Sequence, residues 1–252
     1  MFTVAFFFLA FNVPVASLVL LRLLNQNYLS QFIGSIITVS FPLIPLLPLP
    51  LGSMSVTEDR ESGFLHYVLS TRISRINFLL ARFVGLFAAT FFIIAAGFGG
   101  ASLLAFQLSP SIGSVWFVVL ASSVLTASML AISLVVSVLS NKWKTAVAVS
   151  IFIWLMFTVI SDSVILAQVF TMAQRVDLLL PFIFLNPVEL SRLLALSGVG
   201  SGSSVVPRDA SGAIMALLYG DSLPTVLGVA LMLWIEIPVI IAIVLFSRQD
   251  IR

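Results

Sequence analysis

The chain contains 252 residues, of which 60% are hydrophobic and 9% are charged, and its mean hydropathy is +1.20. Soluble domains carry about 25% charged residues, so this composition excludes a water-soluble protein and predicts an all-α, polytopic membrane protein. The net charge of +2 argues against nucleic acid as a partner, and the absence of cysteine excludes disulfides, thiol nucleophiles and cysteine-ligated metals.

The distribution of charge predicts the membrane spans. Asp, Glu, Lys and Arg are absent from residues 1–21, 23–57, 83–141 and 222–235. Because a bilayer core of about 30 Å requires about 20 apolar residues of helix, we predict six membrane-spanning helices. They cover roughly residues 2–22, 32–51, 83–107, 112–139, 145–166 and 223–246. A seventh span at 164–185 is rejected, because it would bury Arg175 and Asp177 at a cost of about 2.5–3.5 kcal/mol each.

The second predicted span is unusual in its proline content, with Pro42, Pro45, Pro48 and Pro50. Proline lacks a backbone donor and leaves a helix carbonyl without its partner, which is tolerated in a membrane only where neighbouring groups satisfy that carbonyl. We therefore expect this span to be kinked and packed inside the protein.

The basic residues predict the orientation. Six spans place both termini on one side of the membrane, together with the loops 52–82, 140–144 and 247–252. The positive-inside rule assigns this side to the cytoplasm, because the short loops on the other side carry only Arg22. The basic residues on the cytoplasmic side are Arg60, Arg72, Arg75, Arg82, Lys142, Lys144, Arg248 and Arg252.

The cytoplasmic segment 52–82 has the pattern of a short amphipathic helix. Ser55 and Glu58 have the spacing of a capping box, with Ser55 as the N-cap. The carboxylates of this segment would then lie in the first turns, where the helix dipole stabilises them. An apolar stripe at helical spacing follows, formed by Phe64, Leu65, Val68 and Leu69.

An amphipathic helix on the cytoplasmic side needs a surface for its apolar stripe. It either lies in the headgroup layer of the bilayer or docks on a soluble partner. The acidic residues at its start argue against an anchor on an anionic membrane, so we favour docking.

Residues 167–222 are predicted to form a long extracytoplasmic segment before the last span. Asn186, Pro187 and Glu189 have the spacing of an N-cap, a first-turn proline and an acid at the third position, which predicts a helix through about Leu196. The glycine- and serine-rich residues 198–204 predict a flexible loop. The segment would form a lid, which is either a simple connector or a contact for an extracytoplasmic protein.

Motifs for a phosphate-binding loop, a zinc protease or a serine hydrolase are absent, so we expect no catalytic residue and no metal site in this chain. His66 is the single histidine, and acid–base catalysis normally requires a positioned partner. Glu236 lies near the middle of the last predicted span, where an ionisable side chain is costly. It either forms a structural hydrogen bond to another helix or takes part in translocation.

The cytoplasmic segment resembles that of the membrane subunits of type-2 ABC exporters. The resemblance lies in residues 58–65 (EDRESGFL), residues 69–75 (LSTRISR) and the Ala81-Arg82 pair before the third span. Six spans in a chain of this length, the Asn-Pro helix start in the outer segment and the ending at residues 246–250 (FSRQD) also match. Within the family, the chain is most similar to permeases of copper-processing transporters linked to nitrous oxide reductase maturation.

The resemblance implies a mechanism. Two permease copies would pair in the cell membrane of a prokaryote, and separate ATPase subunits holding ATP and Mg²⁺ would bind beneath them. Residues 58–75 would be a coupling helix seated in a groove of the ATPase, and the permease itself would hold no cofactor. The contact residues would be Glu58, Asp59, Glu61, Gly63, Phe64, Leu65, Val68, Leu69, Arg72 and Arg75.

Two features depart from the family pattern. Arg72 stands where proline is usual, and the sequence begins inside its first predicted span, without the basic segment that normally precedes it. The first 21 residues also lack the basic start and the cleavage motif of a signal peptide, so we expect a retained span.

Two other functions are weighed against a permease. A proton-coupled secondary transporter would use Glu236, but such folds usually show broken helices in both halves of the chain, and only the second span looks broken here. A membrane scaffold for the assembly of an extracytoplasmic metalloenzyme would instead use the outer segment 167–222.

Overall fold

The computed structural model describes Ile37 and residues 40–70, 73–106, 112–170, 181, 183–199 and 220–249. Every regular element in these residues is helical, which confirms the predicted all-α class for this part of the chain. Two 3-10 turns, Ile44–Leu46 and Gly220–Ser222, precede the first and last helices. The α-helices are α1 (Pro48–Glu61), α2 (Phe64–Ser70), α3 (Arg75–Phe106), α4 (Ile112–Leu139), α5 (Trp143–Phe170), α6 (Pro187–Val199) and α7 (Leu223–Arg248).

Three helices in the described residues are long and apolar enough to cross a membrane, and they belong to α3, α4 and α7. A shorter apolar stretch, Trp143–Val159, belongs to α5. These four helices contain the last four predicted spans, although α3 begins eight residues earlier than predicted, at Arg75 rather than at residue 83. The first predicted span, residues 2–22, lies outside the described residues.

Helix α4 is the centre of the bundle. In the most apolar part of its segment Phe117–Leu139, 78% of the residues are buried. In the corresponding parts of α3 and α7, only 22% are buried. Helices α1, α3, α6 and α7 all pack against it. Four of its hydroxyl groups are satisfied within the helix, because each of the four donates to the carbonyl four residues earlier. The donors are Ser122, Ser123, Thr126 and Ser128.

The proline-rich segment before α1 is broken and packed inside the protein, as predicted. The indole Nε1 of Trp154 in α5 donates to the carbonyl of Pro42 at 2.7 Å, and Phe41 and Ile44 are buried. A neighbouring helix thus satisfies a carbonyl at the break. The break occupies residues 41–47, where the chain turns, and α1 begins only at Pro48.

Ser55 is not a helix N-cap. It lies in the second half of α1 and donates to the carbonyl of Gly52 at 2.7 Å. The predicted capping box is wrong because the apolar residues before Ser55 already form a buried helix that continues through it. The carboxylates that follow therefore occupy the last turn of a helix instead of the first: Glu58, Asp59 and Glu61.

Helix α1 lies very close to α4. A Cβ atom placed on Gly52 would be 1.8 Å from Ser133 Oγ, so only glycine fits at this crossing. One turn later, Ser137 Oγ accepts hydrogen bonds from the backbone N–H groups of Val56 at 3.0 Å and Thr57 at 3.3 Å. Residues 52–57, the first part of the predicted cytoplasmic segment 52–82, are therefore held against α4 and do not form a free loop.

Helix α6 begins where the sequence predicts but is buried. Asn186 Oδ1 accepts the N–H of Val188 at 3.0 Å, which confirms Asn186 as the N-cap. Leu190 and Leu193 are buried, and the helix packs against α4 and α7. The bundle covers the apolar residues of α6, so this part of the predicted lid is packed against the other helices. Residues 200–204 of the predicted flexible loop lie outside the described residues.

Candidate functional site

Several helices end or begin at one end of the bundle, and we call this region the polar end. Helices α1, α4 and α7 finish there at Glu61, Leu139 and Arg248, while α3 and α5 start there at Arg75 and Trp143. Hydrogen bonds described below join these termini to one another. The polar end also contains most of the residues for which the sequence predicts a partner contact.

The predicted coupling segment is a helix–turn–helix, and we call residues 58–70 the hairpin. Helix α1 ends at Glu61, the chain reverses at Gly63, and α2 follows directly. Gly63 has φ of +76°, a left-handed conformation that glycine adopts without steric cost. Its role in the structure is to form this turn.

Helix α2 divides its apolar side chains between two directions. Leu65 is fully buried, and Val68 and Leu69 pack partly buried against the same apolar cluster. Phe64 is 47% exposed and Tyr67 is 69% exposed. The predicted four-residue docking stripe is therefore wrong as a single surface: Leu65, Val68 and Leu69 hold α2 on the bundle.

The outward face of the hairpin includes Tyr67, which the sequence interpretation missed. Phe64 and Tyr67 are three residues apart, and their ring centroids are 6.3 Å apart. The i, i+3 spacing of two aromatic residues was visible in the sequence, but the helix was predicted from Ser55 rather than from Phe64. Tyr67 was therefore not named among the predicted contact residues.

The three acidic residues of the hairpin have different environments. Asp59 forms an ion pair with Arg82 of α3 and is 13% exposed. Glu61 accepts the backbone N–H of Trp143 at 2.8 Å, at the N-terminal end of α5, where a carboxylate is favourable. Glu58 is exposed, and no hydrogen bond or ion pair joins its side chain to another described residue.

Arg60, which is absent from the predicted contact residues, joins the hairpin to α4. Its guanidinium donates to the carbonyls of Ser140 at 3.0 Å and Val138 at 3.3 Å, and to Gln249 Oε1 at 2.7 Å. Gln249 Nε2 donates to the same Val138 carbonyl at 2.8 Å. The carbonyls at a helix C-terminus lack intrahelical donors and carry partial negative charge, which explains why a cation binds them.

The guanidinium of Arg60 keeps its charge in this position. Burial lowers the pKa of Arg60 below its ordinary value, because desolvation disfavours the charged form. An arginine begins so far above neutral pH that it remains protonated in proteins. Arg60 therefore makes charge-assisted hydrogen bonds, which are stronger than neutral ones.

Arg75 binds the end of α7 in the same way. Its Nη1 donates to the carbonyls of Ser247 at 3.1 Å and Gln249 at 2.7 Å. Arg75 was predicted to contact a partner, but its guanidinium is used within the chain. We call Arg60, Gln249 and Arg75 the arginine–glutamine cluster. Arg72 lies outside the described residues.

Glu236 lies away from the polar end, in the middle of α7. Its side chain is exposed, together with those of Leu233, Ile237 and Ile240. No hydrogen bond joins the side chain of Glu236 to another residue of the described part of the chain. The structural hydrogen bond to another helix is therefore not found among these residues.

No group of three or more His, Cys, Asp or Glu side chains that could hold a metal ion occurs among the described residues. His66 is exposed on α2. The polar end contains hydrogen bonds and an ion pair that join the helix termini to one another.

A family model described as "ABC-2 family transporter protein" matches residues 4–251. The chain belongs to this family. Two relatives are named "Probable ABC transporter permease protein NosY". The one from Stutzerimonas stutzeri is 29% identical over 229 residues, which cover 86% of this chain and 80% of the relative. The one from Pseudomonas aeruginosa is 27% identical over 229 residues, which cover 87% and 80%.

Family membership confirms the resemblance inferred from residues 58–82. The chain is an integral membrane protein and an ABC transporter permease, a class of subunit that is generally not an enzyme itself. Membership in the family also implies an ATPase subunit as a partner.

Proposed function

We propose that this permease is driven by separate ATPase subunits that bind the hairpin from the cytoplasm. It would cross the cell membrane of a prokaryote six times, with both termini inside, and would work as a pair of copies. ATP and Mg²⁺ would be bound by the ATPase. The apolar helices α3, α4 and α7 and the basic residues near the polar end support this arrangement.

The exposed aromatic pair of the hairpin is the observation that carries the proposal. Phe64 and Tyr67 point away from the bundle, while Leu65 on the same short helix is fully buried. Aromatic side chains are enriched among the residues that dominate binding at protein interfaces. A seven-residue helix anchored on one face and aromatic on the other is suited to insertion into a groove of a partner.

The charge of the hairpin defines the kind of groove it fits. Glu58 is exposed without a described partner, and Glu61 is exposed although it accepts the Trp143 N–H. An ATPase groove with an apolar floor and basic residues at its rim would complement these groups. Closure of the ATPase subunits on ATP would displace the hairpin and switch the spans between inward-open and outward-open states.

Removal of the aromatic pair tests the proposal. We expect the F64A/Y67A variant to lose the ATPase on purification of the complex, because its apolar contact surface is truncated, while the permease remains in the membrane fraction. The measurement is co-purification of a Walker-motif ATPase encoded by a neighbouring gene, together with ATP hydrolysis by the purified complex.

The matched control is F92A. Phe92 is an aromatic residue that is 70% exposed, like those of the pair, but it lies in the middle of α3 and outside the hairpin. This variant should retain the ATPase. Undiminished co-purification with F64A/Y67A would contradict the proposal.

Glu236 supports a second candidate function, a proton-coupled secondary transporter. A carboxylate in the middle of an apolar helix is costly to place in a membrane, and its presence there suggests a function. This alternative requires no ATPase, so a purified wild-type permease that recovers no ATPase under any condition would favour it. A scaffold for an extracytoplasmic protein would have to bind residues other than the buried α6.

A further inference from the structure

We propose that the arginine–glutamine cluster transmits movement of the hairpin to α4 and α7. Arg60 and Arg75 are positioning residues, which act through the helix termini that they bind. The inference rests on the proposed function, because it assigns a role in transport to the connection behind the ATPase contact.

The first connection is between the hairpin and α4. Arg60 is the second-last residue of α1, and its guanidinium binds two carbonyls at the C-terminal end of α4. Helix α4 is the most buried apolar segment of the described spans. A displacement of the hairpin is therefore applied directly to the central helix of the bundle.

The second connection is between the start of α3, which follows the hairpin in the chain, and α7. Arg75 follows α2 at the start of α3 and binds carbonyls at the C-terminal end of α7. Gln249 belongs to both connections, because its side chain bonds to Arg60 and to Val138, while its carbonyl accepts from Arg75. The hairpin and the ends of α4 and α7 are thus joined through one residue.

The hairpin has other attachments, and these separate transmission from folding. Asp59 pairs with Arg82 of α3, Glu61 caps α5, and Leu65 is buried in the apolar cluster. None of these contacts uses the arginine–glutamine cluster. Leu65 packs on residues of α3, α4 and α7, so a variant without the arginine–glutamine cluster should keep the hairpin on the bundle and keep the ATPase. Without the polar connection, α4 and α7 should follow the hairpin less closely.

The experiment measures one distance within the chain of the complete complex. The sequence contains no cysteine, so spin labels can be attached only at introduced positions of the permease. Ser70→Cys places a label on α2, and Ile240→Cys places one on α7, at side chains that are exposed. Labelled subunits are diluted with unlabelled copies before reconstitution with the ATPase, so that only distances within one chain are recorded.

The wild-type distance should be narrow and unchanged when Mg-ATP and vanadate are added, because the hairpin and α7 move together. In R60Q and R75Q, the same addition should shift or broaden the distance, with the ATPase still bound. The R60Q/Q249A double variant should deviate from wild type at least as much as R60Q, since Q249A also removes the hydrogen bond from the Gln249 side chain to Val138. R60K keeps the charge but loses the planar fork, and should lie between R60Q and wild type.

The matched control is R248Q. Arg248 is next to Gln249 in the sequence. Its side chain is exposed and forms no hydrogen bond or ion pair with another described residue. Its replacement should leave the distance unchanged. A nucleotide-dependent shift in the wild type, an unchanged distance in R60Q and R75Q, or loss of the ATPase from these variants would each overturn the inference. Failure of the wild-type permease to bind an ATPase would instead overturn the proposed function.

Discussion

Gly52 determines how closely α1 can lie against α4. A Cβ atom at this position would meet both Oγ and Cβ of Ser133, at 1.8 and 2.9 Å. Rotation of the serine hydroxyl would remove only the first of these overlaps. The helices would have to separate, which would also weaken the bonds from the backbone of α1 to Ser137.

We therefore expect G52A to destabilise the permease by about 1–3 kcal/mol, the usual cost of overpacking a tight contact. Thermal unfolding of the detergent-solubilised protein measures the effect. G85A is the control, because an added Cβ at Gly85 meets nothing within 4 Å. The control should be neutral or stabilising by up to about 1 kcal/mol, because alanine favours a helix. Equal unfolding temperatures for the two variants would show that the contact at Gly52 is not tight.

The two predicted N-caps show what local sequence can establish. Asn186 is a true N-cap, because the proline that follows it has no N–H and favours the first turn of a helix. Ser55 has an equally good local pattern, yet it lies inside a helix. The difference comes from the preceding apolar residues, which are buried by α4 and α5, and burial by distant helices is not encoded in a four-residue motif.

At the scale of elements, α5 supports the broken start of α1. Trp154 supplies the donor for the Pro42 carbonyl, at a place where the chain turns inside the bundle. W154F keeps an aromatic ring but removes the indole N–H. Since a buried carbonyl without a donor costs about 1–3 kcal/mol, we expect the unfolding temperature of this variant to fall.

W143F is the matched control for this substitution. The indole of Trp143 has no hydrogen bond to another described residue, and its backbone N–H, which binds Glu61, is unchanged by the substitution. An unfolding temperature of W154F equal to that of W143F would show that the Pro42 carbonyl finds another donor.

Helix α2 shows why periodicity alone misassigned the docking face. The spacing of Phe64, Leu65, Val68 and Leu69 correctly predicts a helix with an apolar side. It does not establish whether that side meets the same protein or another one. The answer depends on the apolar ends of α3, α4 and α7, which bury Leu65 and leave Phe64 and Tyr67 outside.

For the whole molecule, the six-span arrangement predicts that the two ends of α7 lie on opposite sides of the membrane. We expect a cysteine replacing Ser70 on α2 to react with a membrane-impermeant reagent only after the cells are opened. A cysteine replacing Thr225, in the first turn of α7, should react in intact cells. Both side chains are exposed, and the cysteine-free sequence provides the background.

Reaction of both cysteines in intact cells would contradict the predicted orientation and the site of ATPase binding. Reaction of neither would show that the region near Thr225 is covered from outside. F92C is the control for lipid-facing positions, and it should react poorly in either preparation because an aqueous reagent does not enter the bilayer core.

The long apolar helices were predictable because the thickness of the bilayer sets their length, and α4 and α7 end within a few residues of the predicted bounds. The arginine–glutamine cluster was not predictable. It joins Arg60 to Gln249 across 189 positions of sequence, and no local pattern indicates that these two residues meet. Basic residues near helix ends were attributed to orientation, whereas two of them also hold the helix termini together.

The hydroxyl groups of α4 have a consequence for how its neighbours can rearrange. Between Ser122 and Ser128, four hydroxyl groups donate to carbonyls of α4 itself. A neighbouring helix can therefore shift along this part of α4 without breaking these hydrogen bonds. At Ser137, in contrast, two backbone N–H groups of α1 donate hydrogen bonds to the Oγ of α4. The hydrogen bonds from α1 to Ser137 thus lie toward the C-terminal end of α4, so a change in the angle between α4 and α1 would have its fixed point there, next to the polar end.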